Sequence, residues 1–141
     1  MGSAVVSGRK NFLTATWNVR GWRAGAVDIP AEVADYLAHR SPQVLALTET
    51  HFGGVDGPAA DWLEMVGYVW VGKNDDKGGE RGGVGLLVRA DVAGAADGGG
   101  YTNVRRIADI RGAGGHTGTL AVCISGAAVR EPLRVVVSYV D

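Results

Sequence analysis

From Asn11 to Val19 the side chains alternate, with Leu13, Ala15, Trp17 and Val19 on one face and Phe12, Thr14, Thr16 and Asn18 on the other. That period of two predicts a β-strand. Gly21 and Gly25 end it. Asp28 is placed as an N-cap with Pro30 in the first turn, and Ile29, Val33, Tyr36 and Leu37 follow the stripe of a helix lying on a sheet. Ser41-Pro42 stops that helix. Val44 to Leu47 is apolar at every position, as in a strand covered on both faces. Strand, helix and strand make a βαβ unit. Its strands run parallel, so their carboxyl ends share one edge of the sheet.

The later pattern is different. Pro58 opens a short predicted helix with Trp62, Leu63 and Val66 inward, closed by Gly67. Tyr68 to Val71 and Gly83 to Val88 read as strands around a polar, glycine-rich turn. Residues 91–101 are low in complexity and are expected to form a flexible excursion. Val104–Ile110, Thr117–Ser125 and Leu133–Tyr139 are three more strands, the last two suited to an antiparallel pair. A βαβ unit followed mainly by hairpins predicts an α/β layer protein with a mixed sheet. Residues 1–10 are expected to be a flexible tail, and 11–141 one domain.

Composition narrows the function classes. Net charge is −1 and 46% of residues are hydrophobic, so no global field draws the chain to nucleic acid or an anionic membrane. A polyanion would have to meet a local patch; Arg20, Arg23, Arg105, Arg106 and Arg111 are candidates, or simply a solvated scatter. The 23 glycines predict many turns. One cysteine forbids an internal disulfide, in keeping with a reducing compartment. No apolar run suits a signal peptide or membrane helix, which predicts an intracellular protein.

The candidate chemistry lies where the two parallel strands end. Thr16-Trp17-Asn18-Val19-Arg20-Gly21 and Val44-Leu45-Ala46-Leu47-Thr48-Glu49-Thr50-His51 each stop at a polar residue able to hold a metal or phosphate. The topology brings Asn18 and Glu49 to the edge where open α/β sheets place ligands. Singly, Asn18 reads as a turn former and Glu49 as a solvated strand end. Together they suit magnesium, which takes one or two carboxylates and leaves its remaining positions to water and phosphate. Glu49 supplies charge; Asn18 adds a neutral oxygen or orients a ligand. His51 faces the same mouth or is merely solvated. Other matches fail. Gly67 to Lys73 has phosphate-loop spacing, but Asn74 replaces the magnesium-binding hydroxyl and strand formers fill the middle. Cys123 reads as a core filler and His116 as exposed.

On these residues the chain resembles the endonuclease/exonuclease/phosphatase family of metal-dependent phosphodiesterases. The two strand ends match its first two motifs, Gly82-Gly83-Val84-Gly85-Leu86-Leu87-Val88 its central strand, and Leu133-Arg134-Val135-Val136-Val137-Ser138-Tyr139 the strand ending in its active-site Tyr. Arg20 and the triplet Glu49-Thr50-His51 look most like the endonuclease domains of LINE-type (non-LTR) retrotransposons. Arg20 departs from the Asp of abasic-site nucleases, and Asp141 from a frequent Pro. The resemblance implies the N-terminal half of a four-layer α/β sandwich and Mg2+ as cofactor. It also implies DNA as substrate, a metal site at Glu49 and Asn18, and a catalytic role for Tyr139 and Asn18. His51 and Arg20 become substrate contacts, and a nuclear location follows if the retrotransposon reading holds. Alternatives are a phosphatase or phospholipid phosphodiesterase of the same family, or a non-catalytic remnant.

The family's Asp-x-Asn and Ser-Asp-His motifs follow the Tyr strand and neither triplet occurs here, so negligible hydrolysis is expected of this chain alone. Much of the second sheet is expected to be missing. Val135 and Val137 would then be exposed, favouring self-association through the sheet face.

Overall fold

The structure, a computed structural model, describes residues 12–23, 26–52, 57–72, 83–94, 101–111 and 118–139, the last three of the 101–111 segment as backbone only. The predicted tail, His116 and Lys73 lie outside these residues. Strand β1 (Thr14–Asn18) leads to helix α1 (Ile29–Arg40) and strand β2 (Val44–Thr48). Asp28 caps the helix: its Oδ1 accepts from the Ala31 N–H at 3.1 Å. The helix ends where Ser41 turns left-handed at φ 46°, its N–H donating to the Leu37 carbonyl. β1 and β2 pair in parallel, Asn18 opposite Thr48.

Helix α2 (Ala60–Val66) ends at Gly67, which has a φ of 76°. It leads to β3 (Tyr68–Gly72), which pairs antiparallel with β4 (Val84–Arg89). Because β4 is also antiparallel to β2, the first sheet is mixed, in the order β1-β2-β4-β3. β5 (Val104–Arg111), β6 (Gly118–Ile124) and β7 (Leu133–Tyr139) form a second, antiparallel sheet.

Alternation along the strands builds two cores. On one face of the first sheet, Leu45, Leu47 and Leu87 pack with Val33 and Leu37 of α1 and the partly buried Trp62 and Leu63 of α2. On the other, Val44, Leu86 and Val88 meet Leu120, Val122 and Ile124 of β6 and Val137 of β7. The result is three layers: helices, mixed sheet, antiparallel sheet.

Three expectations are corrected here. The second sheet is substantially present, and β7 lies across the first sheet, so Val137 is 5% exposed and Val135 is packed against the core. Val136, on the opposite face of the strand, is the valine left outside at 63%. Thus the surface from which self-association was expected is largely covered. Cys123 is half-buried, because alternation gives the inward positions of β6 to Leu120, Val122 and Ile124. Within 91–101, the chain forms the end of a short helix α3 (Ala90–Ala93), whose Val92 and Ala93 are fully buried. Small residues that look like low complexity fit under the second sheet. Beside β7 the sandwich stays open over β1, as a cleft of about 360 Å3 between Thr14, Thr16 and Thr48 on one sheet and Val135 to Ser138 on the other.

Candidate active site

The carboxyl ends of β1 and β2 continue as a zipped pair of loops. The Val19 N–H donates to the Thr48 carbonyl at 3.1 Å, Gly21 to Glu49 at 2.7 Å, and Trp22 to Thr50 at 3.0 Å. Backbone bonding therefore fixes the two loops against each other. Within them Arg20, Glu49 and His51 all adopt left-handed φ values, 53°, 53° and 57°. Each such non-glycine residue costs on the order of 1–3 kcal/mol, and they cluster at this one edge. Strain concentrated there re-aims side chains that a regular strand would alternate.

Glu49 is the centre of the arrangement. Its Oε1 accepts from the Tyr139 hydroxyl at 2.6 Å, across 90 residues and from the opposite sheet. Asn18 accepts the Arg20 N–H on Oδ1 at 3.2 Å and hydrogen-bonds Glu49 as well. The Tyr139 hydrogen bond holds the Glu49 carboxyl below its ordinary pKa, with Asn18, His51 and Arg20 adding to that effect and partial desolvation opposing it. The structure thus gathers Asn18, Glu49 and Tyr139 in direct contact, with Arg20 and His51 close enough to act on Glu49 through charge.

The arginines divide. Arg20 and Arg23 flank this edge. Arg105 is exposed on β5, and Arg106 reaches from β5 to the Gly72 carbonyl at the end of β3, with its Nε buried and unbonded. The side chain of Arg111 lies outside the described residues.

Sequence reasoning did not find the aromatic platform behind the loops. Trp22 and Phe52 are buried, their rings 5.7 Å apart, and they continue to Trp62 at 4.9 Å and Trp70 at 5.4 Å. Trp22 and Phe52 each stand four residues past the ends of the paired strands, which is the spacing that would have revealed them. Thr50, between the two loops, is buried at 2%.

The donor set suits magnesium. One carboxylate with an oxygen not bonded to Tyr139 and one amide are offered, and among the described residues no group of three or more His, Cys, Asp or Glu forms a closed cage. A hard cation held by few protein ligands keeps its other positions for water and phosphate.

A mixed sheet facing an antiparallel one, with an acid, an amide and a phenol at the carboxyl edge of parallel strands, is the architecture of a phosphodiesterase-type domain. Residues 15–135 match the Endonuclease/Exonuclease/phosphatase family, and the chain belongs to it. Among solved structures it is similar to D. rerio TDP2 complexed with single strand DNA product, at 18% identity and a TM-score of 0.58 over 90% of this chain and 45% of that one. A humanized D. rerio TDP2 carrying 14 mutations is similar at 16% identity and a TM-score of 0.55, over 90% and 49%. The chain therefore spans less than half the length of these structures, and the likeness is one of fold. No curated protein matches it. No helix among the described residues is long and apolar enough to cross a membrane.

Proposed function

We propose that this chain carries the metal- and phosphate-binding edge of a magnesium-dependent DNA phosphodiesterase of endonuclease type. The observation that supports it is the 2.6 Å bond from Tyr139 to Glu49, which links the two sheets at the edge holding Asn18. In this reading Glu49 ligates magnesium and Asn18 fixes the carboxylate's orientation. Tyr139 holds the acid ionised and presents its hydroxyl to the scissile phosphate. The bound cation would supply positive charge against that developing on the phosphate. Arg20 and His51 contact substrate beside the acid. Arg20 and the triplet Glu49-Thr50-His51 make retrotransposon-type endonucleases the favoured subclass. The DNA bound to the similar TDP2 structure favours DNA over a lipid headgroup.

Calorimetric titration with magnesium tests the metal site. The wild-type chain should bind, and Glu49→Gln should lose that binding. Wild type that takes up no magnesium, or Glu49→Gln that binds equally well, overturns the reading. Nicking of supercoiled DNA by this chain alone is expected to be negligible, since it carries no Asp-x-Asn triplet.

A further inference from the structure

We propose that the pocket beside Glu49, between the two zipped loops, is a subsite for the phosphate next to the scissile one on a single nucleic-acid strand. The inference rests on the phosphodiesterase reading and deepens it, from a lone phosphate to a chain of them. The pocket is about 210 Å3 and is lined by Gly21, Trp22, Arg23, Thr50, His51 and Phe52. It follows Glu49 directly along the chain. His51 is two residues on, so its Cα lies within roughly 7.6 Å of that of Glu49.

Three observations select the ligand. The Arg23 guanidinium stands 5.7 Å from the centre of the Phe52 ring, a cation–π contact that fixes its position over the pocket wall. Arg23 is exposed, and among the described residues no carboxylate pairs with it. Its charge is therefore available to an anion. Phe52 itself is 9% exposed and braced by Trp22 and Trp70, so the wall beneath the guanidinium does not yield.

The same burial decides what is not read. Trp22 and Phe52 present little open ring face, so a base has no platform on which to stack. What the pocket offers is positive charge at a set place, which positions a backbone and carries no base preference. A substrate with one phosphate would leave the subsite empty. A polynucleotide would fill both sites.

Fluorescence anisotropy of labelled oligothymidylate with the full chain in magnesium, repeated across salt concentrations, tests this. Arg23→Gln should weaken binding roughly three- to tenfold and flatten the slope of log K against log salt by about 0.7, the value for one phosphate on a single strand. Arg23→Lys should keep the slope. Oligoadenylate should behave as oligothymidylate does, and binding of thymidine monophosphate should not depend on Arg23. If wild type binds and Arg23→Gln has the same slope, the subsite is refuted while the metal site stands. If wild type binds no oligonucleotide, both readings fall. Circular dichroism of Arg23→Gln separates loss of contact from loss of fold, and Arg23→Lys restoring the slope confirms the former.

Discussion

The two faces of the first sheet are closed in different ways. On one, α1 and α2 cover every strand, and Leu45, Leu47 and Leu87 are sealed beneath them. On the other, β5, β6 and β7 cover β2, β3 and β4 but leave β1 beside an open cleft. The residues of β1 differ accordingly: Ala15 and Trp17 pack toward the helices, whereas Thr14, Thr16 and Asn18 are exposed. The closed face supplies stability. The open one leaves room at the edge where Glu49 and Tyr139 meet, so a tight core and an accessible site occupy opposite sides of one sheet.

Substitutions can test that asymmetry, and the largest effect should come from the sealed face. Leu47→Ala, at a position with no exposure, should cost about 2–5 kcal/mol in urea unfolding, whereas Val136→Ala, 63% exposed, should stay within about 0.5 kcal/mol. Equal costs would mean that the faces do not differ.

A smaller loss is expected at Gly85. A Cβ there would fall on the Trp70 indole, which lies flat against the strand, and rigid packing leaves the ring nowhere to go. Gly85→Ala should destabilise by about 1–3 kcal/mol, read as a lowered midpoint with unchanged m-value.

The smallest effect belongs to the open edge and depends on pH. Glu49 has a depressed pKa in the folded chain, chiefly through Tyr139. Its contribution to stability is therefore present above its unfolded pKa and lost as pH falls through the folded value. Tyr139→Phe removes the donor. The variant should melt below wild type at neutral pH, by less than Gly85→Ala does, and the gap should shrink as Glu49 protonates in acid. A gap that persists unchanged at low pH would show that Tyr139 stabilises by packing alone.

Local patterns carried much of this architecture. Asp28 with Pro30, and the stripe from Ile29 to Leu37, announce α1 because capping and helical period are properties of neighbouring residues. Continuous apolarity announces β2 as a central strand. The parallel pairing follows from chain handedness, and with it the approach of Asn18 to Glu49. The short helix α3 was not legible, since Ala90 to Ala93 resembles the glycine- and alanine-rich stretch that follows it. Only the second sheet above makes its small residues a core.

Sequence therefore settled which segments extend or coil, which face of each is apolar, and which edge of the sheet gathers polar groups. It could not settle how far the second sheet closes over the first, that Val137 lies inside while Val136 lies outside, or that Tyr139 reaches Glu49. Period and capping act over a few residues, where chain connectivity is enough. Sheet-on-sheet packing joins groups 90 residues apart, and there only the summed burial of both layers selects the partner.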